Sequence, residues 1–130
     1  NLGVNNVKFV GQVSYSKVPE LLNNSDILLL PATANEIKSK EYTSAMKLFE
    51  YLSIGKPIIA SNISSNTEIL KNEVNCLLFE PDNPESLAAK IEFLIGNKDL
   101  KDKLSNNSSN LALKYSWEER SKKVINKVKS

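Results

Sequence analysis

Apolar residues along the chain alternate between short continuous runs and stretches at helical spacing. Asn6-Val7-Lys8-Phe9-Val10-Gly11 reads as a strand that stops at a glycine turn. Val18, Leu21 and Leu22 then fall at helical spacing, so a helix is expected from about Ser16, with Ser14 and Ser16 as cap candidates. Ser25-Asp26 leads into Ile27-Leu28-Leu29-Leu30-Pro31, a run suited to a central parallel strand covered on both faces and closed by proline. Residues 32–43 are polar and mixed in charge, and read as a mobile loop. Ser44 caps an expected helix through Met46, Leu48, Phe49, Tyr51, Leu52 and Ile54, which Gly55 ends.

Lys56-Pro57-Ile58-Ile59-Ala60-Ser61 reads as the next strand. A short helix follows, capped by Ser65 or Asn66 and running through Glu68, Ile69 and Leu70. A fourth strand is expected over Asn75-Cys76-Leu77-Leu78-Phe79-Glu80, ended by Pro81-Asp82. Pro84 suits a first helical turn, and Leu87, Ala88, Ile91, Phe93, Leu94 and Ile95 supply an apolar side before Gly96. Leu100 and Leu104 suggest another short helix, which Asn106-Asn107-Ser108-Ser109-Asn110 is expected to break. Leu111, Leu113 and Tyr115 follow, and a last helix begins near Ser116 with Trp117, Val124 and Val128 on its packed side. The order is β-α-β-α-β-α-β-α-α-α, which implies a parallel sheet with helices on both faces.

Ligands of open parallel sheets lie beyond the carboxyl ends of the strands. Three segments occupy that edge: Gly11 to Tyr15, Pro31 to Ser44, and Ser61 to Thr67. A helix starting at Ser44 turns free main-chain N–H groups toward the edge, and the small Ser44 and Ala45 leave room for a diphosphate. Glu50 lies less than two turns further on, within reach of a sugar diol near the same edge. Lys47 can meet either a phosphate or Glu50. For Lys47 and Glu50 alike, an ordinary solvated position remains open on spacing alone.

Composition narrows the chemistry. The 130 residues contain no histidine, which removes serine–histidine and cysteine–histidine catalysis and imidazole-based zinc sites. The one cysteine, Cys76, excludes an internal disulfide and reads as a small core residue. No apolar run approaches the length of a membrane span, and Asn1 is not preceded by an initiator methionine, as expected of a sequence beginning inside a longer protein. Net charge is +2, unevenly spread: residues 96–130 hold nine basic and four acidic side chains. Their interleaving with apolar positions is that of a solvated helix face. Nucleic-acid binding would need an aromatic-basic surface, yet Phe9, Phe49, Phe79 and Phe93 all fit core positions.

The stretch Ser44 through Pro57, followed by Ile58-Ile59-Ala60-Ser61 and Glu68-Ile69-Leu70, resembles the donor-binding region of the glycosyltransferase group 4 family. Val7-Lys8-Phe9-Val10-Gly11, Ser25 to Pro31, and Tyr115-Ser116-Trp117-Glu118 extend the resemblance over nearly the whole chain. It implies a Rossmann-like α/β fold, the last four strands and trailing helices of the C-terminal domain of a GT-B enzyme that retains anomeric configuration. The whole of 1–130 would be one incomplete nucleotide-sugar-binding domain, with 113–130 crossing to an N-terminal domain that is missing, together with two upstream strands. Glu50 matches the glutamate that binds the nucleotide ribose. Ser44, Ala45, Met46, Lys47 and Leu48 match the helix start that receives the diphosphate. Gly11, Gln12 and Val13 match a loop beside the base.

Eight positions before Glu50, where the family carries another glutamate, this sequence has Tyr42, with Glu41 adjacent. The resemblance assigns no catalytic residue, no metal and no cofactor. It implies a nucleotide-diphosphate sugar as donor, a glycan, lipid-linked or small-molecule acceptor, and a cytoplasmic location with peripheral membrane contact left open. A noncatalytic nucleotide-binding remnant and a nucleotide-sugar epimerase are the alternatives.

Overall fold

The computed structural model describes residues 8, 11, 13–31 and 44–114. The expected first strand over residues 6–11 lies almost wholly outside the described residues, and the 32–43 loop and the helix from Ser116 lie wholly outside them. Among the described residues the elements run α1 (Val18–Asn23, entered by a 3-10 turn over Tyr15–Lys17), β1 (Leu28–Leu30), α2 (Ser44–Ile54), β2 (Ile58–Ser61) and α3 (Ser64–Thr67). They continue with β3 (Leu77–Phe79), α4 (Pro84–Ile95) and α5 (Lys98–Lys114).

The three strands form one parallel sheet in the order β1-β2-β3, with Leu28 opposite Ile58 and Ile59 opposite Leu77. Successive side chains of a strand point to opposite faces, and the core divides accordingly. On one face Leu28, Leu30, Ile58 and Ala60 pack with Leu48 and Leu52 of α2, with Leu22 of α1 beside them. On the other Ile59, Leu77 and Phe79 pack with Leu94 of α4 and Leu104 of α5. Every residue of β2 is buried, as a central strand covered on both faces requires. The Rossmann-like arrangement anticipated from the sequence is therefore present.

The outer edge of β3 is closed by side chains. The Leu78 N–H donates to Asn72 Oδ1 at 2.9 Å, and the Glu80 N–H donates to Ser86 Oγ at 3.0 Å. Both amides would otherwise be available to another strand.

Several local expectations change. Neither Ser14 nor Ser16 caps α1; the residue preceding it is Lys17, without a side-chain cap, and Pro19 occupies the first turn, where its missing N–H costs nothing. Helix α3 is preceded by Ile63 and not capped by Ser65 or Asn66. Asn66 lies inside that turn, buried, and its Nδ2 donates to the Ser61 carbonyl at 2.8 Å, so it serves the end of β2 instead of a helix start. In α4, Leu87, Ile91 and Leu94 share the packed stripe, whereas Phe93 is 50% and Ile95 62% exposed. Each lies about 100° from Leu94 around the helix, so all the apolar positions could not face one side. Phe93 is accordingly not a core residue; Phe79 is buried and Phe49 partly so.

The largest correction concerns Asn106–Asn110, which does not break the helix: α5 is continuous from Lys98 to Lys114. Asn107 Nδ2 donates to the Val74 carbonyl at 2.6 Å, and the buried Ser108 Oγ donates to the Asn75 carbonyl at 3.0 Å. Leu100 and Leu104 pack on the α4 face, Leu111 and Ala112 on the α2 face. The helix thus passes across the N-terminal ends of the strands. At that crossing Gly55, with φ +79°, ends α2, and a Cβ built there would stand 2.5 Å from Ser109 Oγ.

Candidate functional site

With α5 closing the N-terminal ends, the C-terminal ends of β1, β2 and β3 form the opposite edge, at Pro31, Ser61 and Phe79. Helix α2 begins at that edge with Ser44, Ala45 and Met46. A helix leaves about its first four N–H groups without intrahelical partners, and its aligned peptide dipoles concentrate positive charge there. Lys47 is exposed beside this turn. Leu48, the fifth residue, is fully buried in the α2-side core. Its N–H falls within the helical ladder, so its part is to fix how α2 seats on the sheet.

Glu50 is the seventh residue of α2, about 9 Å along the axis from its start at a helical rise of ~1.5 Å per residue. Its side chain is half-buried and forms part of the wall of a 210 Å³ cavity between α1 and α2. Val18, Pro19 and Leu22 line the α1 side, and Ser53 and Ile54 the α2 side. Ser53 Oγ donates to the Glu50 main-chain carbonyl at 2.7 Å. Burial pushes the neighbouring Tyr51 phenol above its ordinary range, and the Glu50 carboxylate adds to the shift because phenolate formation would bring two negative charges together.

The segment that leads into α1 carries the other expected positions. Gly11 is exposed with φ +69°, a left-handed conformation that disfavours residues with a Cβ, and nothing lies within 4 Å of a Cβ built there. Val13 is half-buried. Gln12 lies outside the described residues, as do Glu41 and Tyr42, and the side chains of Ser44, Ala45 and Met46 are not described. The fold therefore brings Glu50 alongside α1, an adjacency that linear spacing does not convey.

A second cavity, of about 440 Å³, opens over the strand ends on the α4 side. Pro31, Ser61, Phe79, Asp82, Pro84 and Leu87 line it. None of the three edge segments expected from the sequence includes residues 80–87, where Pro81-Asp82 reads as a strand end. The usable signal was Asn83-Pro84, a cap followed by a first-turn proline. In the structure Asn83 Oδ1 accepts from the Ser86 N–H at 3.0 Å, and Asn83 Nδ2 donates to Glu80 Oε2 at 2.9 Å.

The family described as Glycosyl transferases group 1 matches residues 1–111. The chain is 29% identical to the uncharacterized glycosyltransferase MJ1178 of Methanocaldococcus jannaschii over 115 residues, covering 88% of this chain and 31% of that protein. Among solved structures, HepE (Alr3699) of Anabaena in complex with UDP and glucose is 25% identical with a TM-score of 0.71, covering 83% of this chain and 27% of that one. The C-terminal domain of a glycosyl transferase group 1 family protein (LpcC) from Francisella tularensis shares the fold. It is 22% identical with a TM-score of 0.68, over 84% of this chain and 53% of that one. This chain spans about a third of the curated relative it matches.

Proposed function

The chain belongs to the glycosyl transferases group 1 family, and from that premise we propose that its parent protein transfers a sugar from a nucleotide-diphosphate donor to a hydroxyl acceptor. In this reading residues 1–130 form part of the C-terminal, donor-binding domain of a GT-B enzyme, and the acceptor side of the cleft belongs to an N-terminal domain. The observation that carries it is Glu50 in the wall of the cavity between α1 and α2, less than two turns from the start of α2. The Anabaena structure solved with UDP and glucose supports a nucleotide sugar as the ligand class.

The proposed roles follow from charge. The Glu50 carboxylate accepts hydrogen bonds from a ribose diol, for which it is suited and a phosphate is not. The main-chain N–H groups at Ser44, Ala45, Met46 and Lys47 face the diphosphate, with the Lys47 ammonium beside them. Leu48 holds this turn against the core, and Gly11, Gln12 and Val13 lie beside the base. During transfer the bond from the anomeric carbon to the diphosphate oxygen breaks, the acceptor oxygen bonds to that carbon and its proton departs. Helix-start amides then stabilise charge on the leaving diphosphate, the work a metal ion performs in other transferases. Retention of configuration is part of the proposal, with attack on the same face that the diphosphate leaves. Glu41, next to Tyr42, is the carboxylate nearest in sequence to the family's usual sugar-binding position.

Calorimetric titration of nucleotide sugars into the full-length parent protein, with and without Glu50→Ala, tests this directly. Loss of charge-assisted hydrogen bonds predicts weakening by about tenfold or more. Residues 1–130 by themselves, without the N-terminal domain and the two upstream strands that the resemblance implies, are expected to bind no donor. A parent protein that binds no member of a broad donor panel, or whose affinity ignores Glu50, makes a noncatalytic descendant the better account.

A further inference from the structure

We propose that the groove between α2 and the last turns of α5 is the seat of the Trp117 indole, which anchors the segment after Lys114 on the helix that carries Glu50. The groove has a volume of about 520 Å³, within the range of sites that enclose a small molecule and ample for one aromatic side chain. Leu52 and Ser53 line it with Phe49 on the α2 side, and Ser109, Asn110, Ala112 and Leu113 on the α5 side.

The lining selects the kind of occupant. Leu52, Ala112 and Leu113 offer aliphatic contact, and Leu113 stands 70% exposed at the rim. Ser53, Ser109 and Asn110 each add a neutral oxygen that accepts a hydrogen bond; the Ser53 hydroxyl donates to the Glu50 carbonyl at 2.7 Å and keeps its lone pairs. No charged side chain is among the described lining residues. A lysine or a carboxylate seated here would lose water without gaining a partner of opposite charge. An indole fits both parts of the lining, because its faces are apolar and its one N–H needs an acceptor.

Chain geometry points to position 117. Ser109 and Leu113 stand four residues apart on α5 and both line the groove, and Trp117 is the next residue at that interval. Residues four apart share a face in a helix and in a strand alike, so position 117 belongs to the Leu113 side under either periodicity. Tyr115 does so only in an extended chain, and Val124, Ile125 and Val128 lie much further along. Four residues span at most about 14 Å, which keeps the indole within reach of the groove. Ser53 lines this groove and the Glu50 cavity alike, so an indole seated here packs against the same turn of α2 that walls that cavity.

The test labels the full-length parent protein with fluorotryptophan and assigns to Trp117 the fluorine resonance that is absent from Trp117→Phe. That resonance is expected to be shielded, shifting little when water is replaced by deuterated water and relaxing little with a soluble paramagnetic agent. Leu113→Asp, at a position exposed enough for the fold to accept a carboxylate, should move it to the shift and relaxation of a water-exposed tryptophan. Leu113→Ser, which removes the contact without adding charge, should move it part of the way. Lys103→Asp, exposed on α5 outside the groove, should leave it in place. A Trp117 signal open to water in the unsubstituted protein overturns the proposal. So does a shielded signal that ignores both Leu113 substitutions, since the indole then packs against another part of the protein.

Discussion

Cys76 shows how placement decides a side chain's chemistry. It is fully buried among aliphatic neighbours, and burial pushes its thiol up to about 12 from an ordinary 9.0. The thiolate is the disfavoured form, so above pH 9.0 the unfolded chain releases a proton that the folded chain keeps. The contribution of this residue to stability is complete below that pH and lost as pH rises toward about 12. The loss is at most about 1.4 kcal/mol per pH unit. Urea unfolding of the parent protein and its Cys76→Ala variant across this range should show the steeper decline in the cysteine protein. An equal decline in both would mean that the thiol ionises freely. That Cys76 belongs to the core was legible in the sequence, because an unpaired cysteine with no histidine nearby has little else to do. The cavity beside Glu50 was not legible, because it takes its other wall from α1, some 30 residues away in the chain.

At the scale of elements, α5 and α4 diverge most from local expectation. Asparagine and serine compete with the helical backbone for hydrogen bonds, so a run of five such residues predicts a break. Here Asn107 and Ser108 direct that capacity outward, to the Val74 and Asn75 carbonyls of the turn before β3. Ser108→Ala should leave the buried Asn75 carbonyl without its partner and cost about 1–3 kcal/mol, against roughly 1 kcal/mol or less for the more exposed Asn107→Ala. Denaturant midpoints measure both, and equal small effects would show that the carbonyl finds another donor. In α4 the sequence marks both ends correctly, through Pro84 and Gly96, because helix-end signals depend on residues in direct contact along the chain. It misjudges Phe93, because six apolar positions cover more than one stripe and only packing against β3 selects the buried one.

Over the whole molecule, the sheet has one edge closed by its own side chains, where Asn72 and Ser86 take the outward amides of Leu78 and Glu80. Removing both caps, in Asn72→Ala with Ser86→Ala, should expose the β3 edge and produce concentration-dependent self-association visible by light scattering. A variant that stays monomeric would show that other parts of the protein shield the edge. The chain spans about a third of a curated relative that it matches. By itself the sequence determined, over the described residues, the alternation of strands and helices, the parallel sheet and the helix that carries Glu50, and it pointed to a glycosyltransferase family. Those follow from periodicity, caps and ordered motifs, which act between residues close in the chain. Only the tertiary structure decided that α5 runs unbroken across the strand starts, that α1 forms a wall of the Glu50 cavity, and that residues 79–87 shape a second cavity. Each depends on contacts between residues distant in sequence, where burial and hydrogen-bond satisfaction outweigh local propensity.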